Sequence, residues 1–400
     1  MVRMLFMTAV MLLLQTSQTM RTTQPTNYLR EGPGTYFNIV SMVTGGVNVT
    51  VLEKKGSWLK VKNESDAGWL SENSFAKQSG DKYQDVTKGK ASSRASRAEL
   101  AAAIKGFAKK YVEGEKAPDA DISKYTASPV SAEAMEKFEH SFSVEPFRGY
   151  QSVEKPFDIS FHEEAIGLGI AERIATEKGL VQDRKALLYV NLIGMYLSQF
   201  SRAYDLGFRF FILNDNKAAA YSCPGGYIFI TKGMMNLCSN EAELAAVVAH
   251  EMSHVIQRHG LKEIHINQPR IKSEAAFEEL EEEVGEEKSD DEKDLENYVD
   301  NVLDNLNAPR LLKYEVEADK LAMLYLKRAG YDPTSLVDLL RKFQTATKDQ
   351  PDIFDDNYTR KDDMQQRLTS AVQFVRSEGY RSDENKRFSG RFTLYTSALR

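Results

Sequence analysis

The chain has 400 residues, 42% of them hydrophobic, which is enough for a small domain and one sizeable core. Its 52 Lys and Arg against 58 Asp and Glu leave a net charge of −6 with no basic stripe, which argues against nucleic-acid binding. Two cysteines rule out a disulfide-built scaffold.

In chain order, Met1 to Leu14 carries one Arg and then an apolar run, followed by polar Gln15 to Gln18. That is the pattern of a secretory signal, set at residues 1–22. The run is too short to span a bilayer, and no later stretch reaches ~18 apolar residues, so no permanent membrane span is expected. Residues 26–77 hold short strand-like runs, among them Val47–Leu52, Trp58–Val61 and Gly68–Leu70, separated by glycines and polar pairs. They predict a small all-β barrel. Leu29-Arg30 with Gly32-Pro33-Gly34, and Gly68-Trp69-Leu70, resemble a bacterial SH3-like domain. That resemblance implies an exported protein and a cell-wall or peptide ligand. Trp58 and Trp69 read as core residues, or else as a surface on which a ligand stacks. Residues 78–97 are polar and end in a basic, Ser-rich run, as flexible linkers do.

Residues 98–400 form the second predicted domain, mainly helical, with strands near Phe208–Leu213 and Tyr227–Thr231. Gly225 and Gly226 make a tight turn before the latter strand. An edge there, offered by Gly225, Gly226, Tyr227 and Ile228, would bind an extended peptide by main-chain hydrogen bonds. Cys223 and Cys238 flank it, either bridged or as buried thiols. Asn240 to His259 is rich in helix formers, with Asn240 as N-cap, Glu243 as the acid of a capping box and Gly260 as the left-handed residue after the last turn. Inside it, His250-Glu251-Met252-Ser253-His254 reads H-E-x-x-H. Residues four apart share a helix face, so both imidazoles point at one spot. Neutral imidazoles are good zinc ligands, and two leave positions open. Glu251 can then take a proton from a water in an open position, as a general base.

Residues 273–300 form an acidic insert: twelve Asp or Glu and two Lys fall within 278–296. Such a block repels itself, and it reads either as a lid or as a solvated spacer. Beyond it, Pro309 opens and Gly330 closes a predicted helix on which Glu315 and Asp319 share a face while Glu317 points elsewhere. Glu315 is the candidate third ligand. Asp319 is the carboxylate that orients His250 from behind.

Four segments together resemble zinc metallopeptidases of the CAAX-prenyl-endopeptidase family, in its soluble, BepA-like bacterial envelope type. They are Glu163-Glu164 with Leu168-Gly169 and Tyr189-Val190-Asn191; Pro224 to Gly233; Glu243-Leu244-Ala245 running through His250-Glu251-Met252-Ser253-His254 to His259; and Glu315 to Asp319. The resemblance implies one zinc on His250, His254 and Glu315, Glu251 as general base and Asp319 behind the ligands. It also implies an α+β fold: a mainly helical gluzincin domain with a small sheet beside the active-site helix. Family members often carry a further histidine in a His-Pro…Arg context. Here no histidine lies beyond 265, and the corresponding stretch is Asp355 to Arg367. Tyr358 or Arg360 is the candidate donor to developing negative charge in its place. The expected protein is an exported, periplasmic or extracytoplasmic endopeptidase acting on extended or misfolded polypeptides. The alternative is a non-catalytic or latent chaperone or assembly factor with the same fold.

Overall fold

The structure, a computed structural model, describes residues 18–24, 26–63, 66–75, 129–142, 161–260, 262, 310–350, 352–354 and 361–399. The stretch before Gln18, the linker at 78–97, the acidic insert at 273–300, Pro309, Tyr358 and Arg360 lie outside them.

The first unit is a six-stranded sheet of β1 (Gln18–Arg21), β2 (Thr26–Arg30), β3 (Ile39–Thr44), β4 (Asn48–Lys55), β5 (Trp58–Lys62) and β6 (Ala67–Ser71). Its order is β1-β4-β5-β6-β2-β3, and the pairings are antiparallel. Strand alternation turns Leu29, Val43, Val49, Leu59, Val61 and Leu70 into one core. This is the predicted SH3-like unit, with one difference. β1 pairs with β4 and falls inside the stretch 1–22 given to the signal, so the folded unit takes in residues from Gln18 on.

The second unit is built around one helix. Its elements are α1 (Ala132–Glu139), α2 (Phe161–Lys178), α3 (Arg184–Ser198), β7 (Arg209–Leu213), β8 (Ala220–Cys223), β9 (Tyr227–Thr231), α4 (Lys232–Leu237), α5 (Glu241–Ile256), α6 (Leu312–Arg328), α7 (Ser335–Asp349), α8 (Lys361–Ser377) and α9 (Ser389–Thr396). All sixteen residues of α5 are buried. A helix this largely apolar sits inside, and α3, β8, α6 and α7 enclose it. Its alanines Ala242, Ala245, Ala246 and Ala249 allow close approach. Asn240 caps it as predicted, accepting from the Glu243 N–H at 3.0 Å. The Glu243 carboxylate reaches back to the Ser239 N–H at 2.7 Å rather than to the cap residue, and pairs with Lys342. At the first turn, buried Glu241 accepts from Tyr189 and Tyr331, each at 2.7 Å, and pairs with Arg391. A carboxylate with a cation and two hydroxyls at a helix N-terminus is satisfied both by hydrogen bonds and by the helix dipole.

β9 has the predicted span, but it is not an edge. It is the central strand of a three-stranded sheet, parallel to β7 and antiparallel to β8. Both its main-chain faces are occupied, so Tyr227 and Ile228 cannot take an added strand. Asn191 of α3 anchors the sheet by donating to the Phe210 carbonyl at 2.8 Å and accepting from its N–H at 3.2 Å. Cys223 and Cys238 are free, buried thiols, and burial pushes both pKa values up.

Candidate metal centre

α5 and α6 lie against each other, and their facing sides carry the predicted residues. His250 Nε2 and His254 Nε2 are 3.0 Å apart. Glu315 places Oε2 3.5 Å from the former and Oε1 3.3 Å from the latter. All three side chains are buried, and one ligand atom of each lies within 4.8 Å of the others. Ligand atoms 2.0–2.1 Å from a tetrahedral zinc stand roughly 3.4 Å from one another, and the imidazole–imidazole and nearest imidazole–carboxylate separations lie close to that value. Two imidazole nitrogens and a carboxylate converging in a buried space are a donor set that suits a divalent cation.

Each imidazole is backed at its other nitrogen. Asp319 Oδ1 lies 2.9 Å from His250 Nδ1, a hydrogen-bonding distance at a bent angle. His259 Nδ1 lies 3.0 Å from His254 Nδ1. If Nε2 of His254 faces a cation, its Nδ1 carries the proton and donates to His259. The His259 N–H is then at Nε2, 3.4 Å from Glu317 Oε2, too far for a strong bond. His259 is fully buried and stacks on Tyr314 at 4.4 Å. Burial, then the charges of His254, Lys262 and Arg310, lower its pKa to about 2, so it stays neutral.

The helix end delivers this residue. Gly260 was expected to be the left-handed residue after α5, but the chain turns two residues earlier, at Arg258 with φ 52°. A left-handed non-glycine costs about 1–2 kcal/mol. The early turn swings the His259 ring back under His254. Gly330, expected to close α6, follows its last turn with φ 82°.

Arg367 of α8, which no local motif marks, brings a cation to both carboxylates. It donates to Asp319 through Nε at 2.9 Å and Nη2 at 2.7 Å, and its Nη1 lies 2.6 Å from Glu315 Oε2. Although burial opposes it, Arg367 and then the imidazoles hold the Glu315 carboxyl well below its usual range, and the same groups lower Asp319. Burial lowers His250, but the Asp319 and Glu315 carboxylates outweigh it and raise the pKa to about 9. Burial, with the charge of His250, lowers His254.

Glu251 is buried one residue along α5, within electrostatic reach of Cys223 at the end of β8. Gly225 and Gly226 adopt φ 79° and 87°, which only glycine takes freely. They form the turn between β8 and β9, and α2 crosses it so closely at Gly167 that a Cβ there would stand 1.8 Å from the Pro224 carbonyl oxygen. Tyr358 and Arg360, the candidate oxyanion donors, fall outside the described residues.

If His259 orients His254, His259→Ala should weaken zinc affinity roughly 10–100-fold, as loss of a residue behind a ligand does. Competition against a chromophoric chelator would measure it, and an unchanged affinity would refute the orienting role.

Two buried imidazoles and a carboxylate from crossing helices, with a second carboxylate on the same helix, define a metallopeptidase-type centre. Residues 190–377 match Peptidase family M48, and residues 26–76 match the bacterial SH3 domain. The helical unit thus carries the match to Peptidase family M48, and the strand unit before it the match to the bacterial SH3 domain. The chain is similar to the beta-barrel assembly-enhancing protease of Escherichia coli (strain K12), 25% identical over 165 residues, 41% of this chain and 34% of that protein. It is similar to the mitochondrial metalloendopeptidase OMA1 of Schizosaccharomyces pombe, 28% identical over 159 residues, 40% of this chain and 44% of that one. A putative beta-barrel assembly-enhancing protease of Vibrio cholerae is 35% identical over 71 residues, 18% of this chain and 15% of its own. The chain spans about a third of the length of the assembly-enhancing proteases it matches. The resemblance to CAAX-prenyl endopeptidases is carried no further by these matches.

Proposed function

We propose that the chain is an exported zinc metalloendopeptidase that cleaves extended or misfolded polypeptides in the cell envelope. The observation that carries this is the His250, His254 and Glu315 triangle, sized for one tetrahedral ion and backed on every ligand. Zinc held there supplies a Lewis acid for the scissile carbonyl and lowers the pKa of a water toward ~7. Glu251 accepts the water proton on its carboxylate and passes it to the departing amine. Asp319 and His259 hold the imidazole planes, and Arg367 favours the ionised form of Glu315.

The substrate edge moves from β9 to β8. Among the described residues, β8 is the sheet's edge strand on this side, and only the Ala218–Phe354 bridge adjoins its outer line. An extended peptide paired there would run past Cys223 toward Glu251, which selects unfolded chains with little sequence demand. Among the described residues no helix is long and apolar enough to cross a membrane. The export proposal rests on the leader-like start of the sequence and the bacterial SH3 domain.

Zinc-loaded protein should cleave casein, lose the activity on chelation and regain it when zinc is restored. Failure of the loaded protein to cut any unfolded protein would favour the chaperone alternative. Full activity after complete metal removal would overturn the zinc mechanism.

A further inference from the structure

The SH3 domain faces inward. Trp58 and Trp69, the chain's two tryptophans, are buried in one cluster with Tyr204 of the segment joining α3 to β7. The Trp58 ring meets Tyr204 edge-on, with centroids 5.9 Å apart and planes at 86°. Such edge contacts are favourable beyond the area they bury. The Tyr204 hydroxyl lies 2.7 Å from Ser71 Oγ and 3.3 Å from the Ser57 carbonyl oxygen, both on the SH3 domain. The neighbouring Asp205 accepts from Asn73 Nδ2 at 3.1 and 3.2 Å. Arg30 ties its own loop by donating to the Thr35 and Phe37 carbonyls and faces the Asp205 charge. An aromatic pair, a buried hydroxyl with two partners and a carboxylate opposite an amide make a specific contact.

The same segment reaches the end of the histidine-bearing helix α5 on its far side. Arg202 donates to the Ile256 carbonyl at 2.6 Å, and Ile256 is the last residue of the helix that carries both histidines. Leu206 and Phe208 close over Gly226, where a Cβ would stand 3.2 Å from each. Residues 202–208 therefore touch the SH3 domain, the end of α5 and the glycine turn between β8 and β9.

We propose that the SH3 domain docks through Trp58 and Trp69 on Tyr204, and that this docking braces the 202–208 segment against the active-site helix and the glycine turn. Its partner is the chain's own peptidase domain. A cell-wall or peptide ligand that stacks on these tryptophans must first displace Tyr204. The docking half stands on its own; the effect on turnover rests on the peptidase reading.

The two tryptophans make docking directly measurable in the full-length, zinc-loaded protein. The parent should emit as buried indoles and resist acrylamide quenching. Tyr204→Ala should shift the emission to the red, raise quenching several-fold and raise the KM for casein several-fold, with far-ultraviolet circular dichroism unchanged. Tyr204→Phe keeps the ring and loses the Ser71 and Ser57 partners, so it should fall between. Should Tyr204→Ala fail to fold, Asn73→Cys combined with Asp205→Cys gives a second readout. A short bifunctional thiol reagent, which spans the gap left by the two shortened side chains, should then join them within one chain, the native thiols being buried. Absence of the crosslink, or parent-like quenching in folded Tyr204→Ala, overturns the docking. Exposed tryptophans with an unchanged KM overturn the brace. If the parent cuts no protein at all, the peptidase reading has failed, and the quenching and crosslinking still decide the docking.

Discussion

Glu251→Gln is expected to give a folded protein with a full complement of zinc that cleaves casein roughly 10²–10⁴-fold more slowly, the contribution of a positioned general base. The amide keeps the volume and polarity of the carboxylate and loses its basicity. Little else changes, because among the described residues the Glu251 carboxylate has no hydrogen-bonding partner, and it lies outside the Asp319, Glu315 and Arg367 network. Glu251 is buried, and neutralising a buried carboxylate without such a partner removes a desolvation cost, so the variant should be no less stable than the parent. Zinc content and thermal unfolding measured beside the rate separate a lost base from a lost fold. Parent-like cleavage by the metal-loaded variant would show that another group takes the proton. A His254→Ala change should behave differently, losing metal and activity together.

The helix that carries His250 and His254 was legible because local signals agree with its place in the fold. Asn240 caps it, its helix formers run without a break, and a largely apolar helix belongs in a core. The spacing of Glu315 and Asp319 was equally readable, since it is fixed by helix geometry alone. β9 shows where that reading stops. Tyr227 to Thr231 is a strand by composition, but whether a strand lies at an edge or a centre depends on which other strands reach it. The pairing with β7 is made across a parallel register that no local pattern records. His259 and Arg367 were missed for related reasons. His259 sits past the last regular turn, where the left-handed Arg258 rather than a predictable glycine turns it inward. Arg367 lies in a polar helix that reads as solvent-facing until α8 packs on α6. Trp58 and Trp69 face the same difficulty, because a buried aromatic in a core and one at a contact between domains carry the same local sequence.

Arg367→Met should be the most destabilising single change at the site when zinc is removed. The parent buries Arg367 against two carboxylates at 2.6–2.9 Å. Removing one partner of such a buried set costs about 3–5 kcal/mol, because the opposite charges are left without compensation. Zinc carries two positive charges to the same carboxylate, Glu315, so the loss should be smaller in metal-loaded protein and the gap in unfolding midpoint between loaded and stripped forms should widen. The pH dependence has a definite sign. Arg367 lowers the folded-state pKa of Glu315 and Asp319, so their ionised forms contribute stability that is present above the unfolded carboxylate range, near pH 4, and is lost as pH falls through the lower folded values. The difference between parent and variant should therefore be full at pH 7 and shrink below about pH 4 as both carboxylates take up protons. Arg367→Lys keeps the charge without the planar fork that spans Asp319 and Glu315, so it should recover only part of the loss. Urea unfolding of the three proteins, with and without zinc at pH 7 and near pH 3, measures each term. If the stripped Arg367→Met protein is as stable as its parent, the two carboxylates are not held ionised by this guanidinium, and the charge assignment at Glu315 fails with it.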